Sequence, residues 1–168
     1  WPDLDTEHAR SALRRSLYFL RRELGDGIVV GRSEEEVGLA DDSLRCDAAE
    51  FEAAVKQGDL DRALQLYRGH LLEGFFVAGA PDVVDWLDGE RTRLRDTALL
   101  AAWTLVERED TPPAVSLHWG RWAAATAPDD ESNVARYITL LTRLGERSQA
   151  LRAYRELERR LDMQFGVA

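Results

Sequence analysis

The chain has 168 residues, a formal net charge of −9 and a single cysteine. This length allows one good core, or a small module beside a larger one. The negative charge excludes a protein that coats nucleic acid over its whole surface. Cys46 alone permits neither an internal disulfide nor a cysteine zinc site, which fits a reducing cytoplasm, and we expect it to be a small buried residue.

The charge is unevenly distributed along the chain. Residues 1–32 carry six arginines against five acids, whereas the remaining residues carry 16 bases against 26 acids. A polyanion would therefore bind the first segment and be repelled by the rest. No apolar run reaches the roughly 18 residues of a membrane span, so no membrane partner is expected. The sequence begins with Trp-Pro-Asp instead of Met, which suggests a fragment of a longer protein.

An amphipathic helix is predicted to open at Glu7 after Asp5 or Thr6 as its N-cap, to contain residues 11–24 as its central stretch, and to end at Gly25 as its C-terminal cap. Its apolar stripe consists of four leucines at helical spacing: Leu13, Leu17, Leu20 and Leu24. The opposite face carries the side chains that we predict to face the DNA major groove: Ser11, Arg15, Tyr18 and Arg22. One shoulder carries the arginines that we predict to meet phosphates: Arg10, Arg14 and Arg21. The alternative is an ordinary solvated helix.

A β-hairpin is predicted after this helix. Residues 28–30 and 37–39 are short β-forming runs on either side of a polar loop. Helix, glycine turn and hairpin together form the closing half of a winged helix. Arg32 could contact phosphate from the hairpin, whereas the acids at 34–36 would repel the DNA backbone, so we expect the loop tip to be solvated.

The rest of the chain is predicted to be a mainly α, tetratricopeptide-like stack of helices. Residues 41–46 form a polar linker, so we place domains at 1–43 and 44–168. Two segments repeat Gly-x4-Ala-Leu-x2-Tyr, starting at Gly58 and Gly145, and a weaker copy includes Ala114, His118 and Pro128. The predicted helices are residues 47–57, 60–72, 82–109, 112–126, 131–144 and 147–163.

Large aromatic residues in this part are expected to form the core. We assign Trp103, Trp119 and Trp122 to packing between helices, with a peptide groove or dimer surface as the alternative. We expect residues 75–77, Phe-Phe-Val, to fill the core from a loop. The acid pairs at 41–42 and 129–130 stand at helix starts, where carboxylates are favoured.

No catalytic pattern is present in the sequence. The histidines, at 8, 70 and 118, lack a metal-ligand spacing, and no G-x-S-x-G nucleophile turn occurs. We therefore expect no enzyme activity, no metal and no cofactor.

The whole chain resembles one protein family in an ordered succession of segments. WPD, ARSALRRSLYFLRRELGDG and IVV…VGLA are similar to the end of the OmpR-type winged helix of Streptomyces antibiotic regulatory proteins. The segments that begin CDAAEFEAAVKQGDLDRALQLY, APDVVDWLDGERTRL and LGERSQALRAYREL resemble the bacterial transcriptional activator domain of that family. A complete winged helix has a sheet and two helices before its recognition helix, and this sequence does not supply them.

This resemblance implies a transcriptional activator without enzyme activity. Its winged helix would bind double-stranded DNA in the intact protein. Its helical domain would contact other proteins, namely RNA polymerase, a second subunit or a second copy of the chain. The alternative hypothesis is an adaptor whose helical stack binds a protein or peptide while the first segment has no DNA role. DNA binding weakens steeply with salt, which separates the two.

Overall fold

The computed structural model describes residues 4–25, 27–33, 36–40 and 43–166, with no side-chain description for 164 and 165. The chain divides into two compact units, Trp1–Cys46 and Asp47–Ala168, here called the N-terminal unit and the helical unit. The predicted mainly α fold is confirmed, with seven helices and one small hairpin in the described residues. None of these helices is long and apolar enough to cross a membrane.

The N-terminal unit consists of helix α1 (Thr6–Leu24) and the antiparallel strands β1 (Val29–Gly31) and β2 (Val37–Leu39). The helix ends where predicted, because the amide of Gly25 donates to the carbonyl of Arg21 and its φ is 100°. Strand β1 starts one residue later than predicted, and its register pairs Val30 with Gly38. The acids at positions 34 and 35, like those at 41 and 42, lie outside the described residues.

The helical unit consists of six helices in chain order: α2 (Asp47–Gln57), α3 (Leu60–Leu66), α4 (Pro81–Glu107), α5 (Pro113–Thr126), α6 (Glu131–Arg143) and α7 (Arg147–Phe165). Each helix packs against the next one along the chain, as in a helical repeat. Small and apolar side chains form the core at these contacts, among them Phe51, Ala63, Leu64, Ala98, Ala102, Val106 and Ala123.

The tryptophan assignment to packing is confirmed. Trp103 is buried, while Trp119 and Trp122 are half-buried against the core. A series of ring contacts runs from Trp122 to Tyr67, which pack edge-to-face with centroids 5.8 Å apart, and from Tyr67 to Phe51, whose rings are tilted against each other. Burial raises the pKa of the Tyr67 phenol. This aromatic series joins the first two helix pairs.

Helix α3 is shorter than predicted, because the segment after Leu66 takes another course. The guanidinium of Arg91, on α4, donates to the carbonyls of Leu71 at 2.8 Å, Leu72 at 2.6 Å and Phe75 at 3.3 Å. Those carbonyls are therefore satisfied without helix formation. The prediction that residues 75–77 fill the core is wrong, since the Phe76 side chain is 74 % exposed and Phe75 is exposed as well.

Two smaller predictions also fail. Cys46 is exposed, because it lies before the first turn of α2 and outside the packed helices. Ala114, the start of the weak third repeat, is exposed too. Helix α5 instead brings Ser116, Gly120 and Ala123 into its buried face.

Candidate nucleic-acid interface

The first turn of helix α1 is stabilised by an N-terminal cap, the side chain of Asp5. Oδ1 of Asp5 accepts hydrogen bonds from the amides of Glu7 at 3.1 Å and His8 at 3.0 Å. These two bonds satisfy amides that have no partner inside the helix. The predicted cap is therefore confirmed for Asp5.

The cations of α1 outnumber its acids. The helix contains five arginines, against Glu7 and Glu23. Arg10, Arg14 and Arg15 are exposed, and no carboxylate pairs with them in the part of the chain that the structure describes. Three uncompensated guanidiniums on one helix are available to an external anion such as a phosphate.

The other predicted DNA-facing residues divide into free and engaged groups. Ser11 is exposed, and the Tyr18 side chain is 63 % exposed, so both are accessible. Arg22, by contrast, forms an ion pair, in which its Nη2 lies 2.7 Å from Oε1 of Glu23. Its Cζ also lies 5.1 Å from the centre of the Phe19 ring.

Arg21 and Arg32 contact the hairpin. Nε of Arg21 donates to the carbonyl of Val29 at 3.1 Å, which ties α1 to β1. Nη2 of Arg32 lies 3.3 Å from the carbonyl of Leu39, so this side chain lies along β2. Backbone carbonyls of the N-terminal unit therefore position both guanidinium groups, which this unit would present to DNA. A guanidinium has several N–H donors, so one such bond does not use all of them.

The leucine stripe of α1 is not buried in the described structure. No residue of this helix is buried, and Leu13, Leu20 and Leu24 are all exposed while Leu17 is half-buried. Val29 is the one buried apolar residue that the described part of the N-terminal unit contains. A row of exposed leucines on a folded helix indicates a surface that another element covers.

Sequence reasoning missed Phe19. Its ring packs edge-to-face on Tyr18, with centroids 5.8 Å apart, and lies beneath the guanidinium of Arg22. The spacing of three residues between Phe19 and Arg22 was a signal for this contact, because residues three apart are neighbours on a helix. The Phe19 ring therefore lies at the edge of the face of α1 that carries the arginines.

In the described residues, no cluster of three histidine, cysteine or carboxylate side chains could hold a metal ion. The three histidines share no site, and His8 is adjacent only to Asp5. The arrangement can bind an anion and present polar side chains, and it offers no nucleophile with an activating base.

Residues 30–168 match the family model of the bacterial transcriptional activator domain. This match covers the whole helical unit and begins inside β1, so α1 lies outside it. No relative among curated proteins matches the chain.

Proposed function

Because the chain belongs to the bacterial transcriptional activator domain family, we propose that it is the part of a transcriptional activator that joins a DNA-reading helix to a protein-binding helical domain. Family membership supports the activator role as such. We propose further that the N-terminal unit is the C-terminal half of a winged helix, of the type found in Streptomyces antibiotic regulatory proteins. We expect such a regulator to work in the cytoplasm, where the bacterial chromosome lies.

The exposed and unpaired arginines of α1 are the observation that carries the DNA proposal. Arg10, Arg14 and Arg15 have no carboxylate partner in the described residues, although the chain as a whole has a net charge of −9. An acidic protein usually neutralises its cations with nearby carboxylates. Guanidiniums left free on one helix are suited to phosphates and to guanine edges.

We assign the roles within α1 by position on the helix. Ser11, Arg15, Tyr18 and Arg22 face the base edges, and Arg10, Arg14 and Arg21 face phosphates on one side. Arg32 reaches a phosphate from the hairpin. Arg22 exchanges its exposed pairing with Glu23 for the DNA, a small loss because exposed ion pairs contribute little.

The exposed leucines fit the same proposal. A recognition helix has one face towards DNA and the other against the body of its domain. We propose that Leu13, Leu17, Leu20 and Leu24 pack against the remainder of the winged helix in the full-length protein. The helical unit then makes the protein contacts, with RNA polymerase, a second subunit or a second copy.

Arginine substitutions in the full-length protein test this proposal. The probe is a labelled duplex enriched from a random pool by the wild-type protein, and binding is followed by fluorescence anisotropy. Arg15→Ala should weaken binding roughly 5- to 100-fold, the range for losing one bidentate base contact. Arg14→Ala should lower the slope of log affinity against log salt by about 1, as for one lost phosphate contact.

The matched control is Arg152→Ala on α7, which removes the same charge from an exposed helical position where no carboxylate pairs with the arginine in the described residues. It should leave both affinity and salt slope unchanged. Circular dichroism should show the same helix content for all three variants, because neither Arg14 nor Arg15 has a side-chain partner among the residues that the structure describes. Equal affinities for the wild type, Arg14→Ala and Arg15→Ala would sink the assignment.

A further inference from the structure

A cleft in the helical unit lies between the C-terminal half of α4 and the outer face of α6. Its volume is about 400 Å³. Val106 of α4 and Leu140 of α6 form an apolar floor and are themselves buried. No sequence pattern predicts this cleft, because its two walls come from residues about 30 positions apart.

Arg136 stands on one side of the cleft in a defined position. Its Cζ lies 4.6 Å from the centre of the Trp103 ring, and Nη2 lies 2.5 Å from Oε1 of Glu107. The indole beneath it cannot move, because Trp103 is 3 % exposed and its Nε1 donates to Asn133 at 2.6 Å. The guanidinium is thus pre-organised, which lowers the entropic cost of binding an anion.

Arg143 stands two helical turns further along the same face of α6. Nη2 of Arg143 lies 3.2 Å from the carbonyl of Val106, in the last turn of α4. No carboxylate pairs with this guanidinium in the described residues, so its remaining N–H groups are available. Seven residues separate Arg136 and Arg143, which corresponds to roughly 10 Å along the helix.

We propose that this cleft binds an extended segment of a partner protein that carries two carboxylates four residues apart with an apolar side chain midway between them. The lining of the cleft contains two guanidinium groups, those of Arg136 and Arg143, and one carboxylate, that of Glu107. The cleft is therefore locally positive although the chain has a net charge of −9. Alternate side chains of an extended strand share one face and the strand rises about 3.3 Å per residue, so carboxylates four positions apart lie on one face about 13 Å from each other, a span that the long arginine side chains can match. The apolar side chain between them meets the floor of Val106 and Leu140.

This inference deepens the proposed function, since it names the surface through which the helical unit contacts a protein. It also predicts a competition inside the cleft. In the free protein, Glu107 forms an exposed ion pair with Arg136. A bound carboxylate must replace Glu107, so removing that acid should strengthen binding.

Selection from a library of random peptides displayed on phage, with the 168-residue chain immobilised, tests the proposal. The enriched peptides should contain two acidic residues that flank an apolar one. A synthetic peptide of the enriched sequence should lose at least tenfold in affinity for Arg143→Gln and for Arg136→Gln. It should gain several-fold for Glu107→Gln, and it should shift the indole N–H signal of Trp103 in the NMR spectrum.

The matched control is Arg147→Gln, which removes an exposed arginine of α7 outside the cleft and should leave peptide affinity unchanged. Failure to enrich any peptide, or enrichment of peptides without carboxylates, would overturn the proposal. So would an equal loss for Arg143→Gln and Arg147→Gln, which would reduce the effect to net charge. DNA binding by α1 does not enter this experiment, so either proposal can fail while the other stands.

Discussion

Asn133 joins three helices through one amide. Its Oδ1 accepts from the indole of Trp103 on α4 at 2.6 Å. Its Nδ2 donates to the carbonyls of Ala123 at 2.8 Å and Ala127 at 3.0 Å, at the end of α5. Both Trp103 and Asn133 are buried, so the network is fully satisfied where unpaired polar groups would be costly.

Asn133→Ala should destabilise the helical unit by about 2 to 4 kcal/mol, because it leaves buried polar groups without partners. Urea unfolding followed by tryptophan fluorescence would measure the change. Thr142→Ala on the same helix is the control. Its hydroxyl donates only to the carbonyl of Ile138 on the exposed side, and the expected change is within about 0.5 kcal/mol. A similar loss in both variants would contradict the role of the network.

Asp5 makes the first turn of α1 dependent on pH. The amide of His8 donates to this carboxyl, Nδ1 of its ring lies 2.7 Å from Oδ2, and these contacts hold the Asp5 pKa below its usual value of 3.8. Because the pKa of Asp5 is lower in the folded state, its ionised carboxylate stabilises the helix at pH values above the usual pKa. This stabilisation is lost as the pH falls through the pKa of the folded state. The Cα chemical shifts of residues 6–10 should therefore lose helical character on acidification.

Two variants of Asp5 separate capping from charge. Asp5→Asn should keep the helical shifts and abolish their dependence on acid, because asparagine caps nearly as well and does not titrate. Asp5→Ala should lose helical character in the first turn at neutral pH. Identical titrations for Asp5→Asn and the wild type would show that another group is responsible.

Residue-scale features were predictable from sequence only where the partner is local. Asp5 and Asp130 were both assigned to caps, and each accepts from an amide two or three positions on. The pairing of Trp103 with Asn133 spans 30 residues. It depends on how α4 and α6 pack, so no spacing rule reveals it.

At the scale of elements, two helix ends have the same construction. After α2, the amide of Gly58 donates to the carbonyl of Val55, and the amide of Asp59 donates to the carbonyl of Ala54. After α6, the amides of Gly145 and Glu146 donate in the same way to the carbonyls of Thr142 and Leu141. Both glycines have positive φ, 76° and 80°, which this C-terminal cap requires. The repeated Gly-x4-Ala-Leu-x2-Tyr pattern was a correct signal for two turns of the same geometry.

The two copies differ in their last position. Tyr67 packs between Phe51 and Trp122, whereas Tyr154 is exposed. The repeated pattern places both tyrosines at the same position. The difference arises because a repeat pattern describes the helix pair itself, while the packing of its last aromatic residue depends on the neighbouring pair.

Helices α5 and α6 approach closely at Gly120. A Cβ built on this residue would overlap Cδ2 of Leu140 and lie 3.5 Å from Cδ2 of Tyr137. Leu140 is buried and cannot move aside freely. Gly120→Ala should therefore destabilise the helical unit by about 1 to 3 kcal/mol, the cost of overpacking a core. The midpoint of thermal unfolding would report this loss.

Gly89→Ala on α4 is the matched control. Nothing lies within 4 Å of a Cβ at this exposed helical position. Alanine should stabilise the helix by about 0.5 to 1 kcal/mol, because glycine is the poorer helix former. Opposite signs for the two substitutions would support a close contact at Gly120, and stabilisation in both would contradict it.

The early end of α3 was beyond sequence reasoning. Residues 67–72 continue an acceptable helical pattern, which is why the prediction ran to position 72. The carbonyls of Leu71 and Leu72 are instead taken by Arg91, about 20 residues further along the chain. These bonds tie the segment after α3 to α4, a contact that no pattern in residues 67–72 predicts.

At the scale of the whole molecule, the mainly α fold class agrees with what the sequence indicated. The mainly α fold and the order of its elements followed from apolar periodicity and from the turn residues. The identity of the N-terminal unit as half a winged helix stays a prediction, because the family match begins at residue 30, after α1. The arginines of α1 were assigned from helix phase alone, and the structural support is that Arg10, Arg14 and Arg15 are exposed without a carboxylate partner in the described residues.

The most direct test compares DNA binding by this 168-residue chain with binding by the full-length protein. Anisotropy titrations would use random and tandem-repeat duplexes at two salt concentrations. The account predicts that the full-length protein binds a duplex specifically and that its affinity falls steeply as salt rises. If neither form binds, or if affinity does not depend on salt, α1 has no DNA role and the chain acts as a protein-binding adaptor.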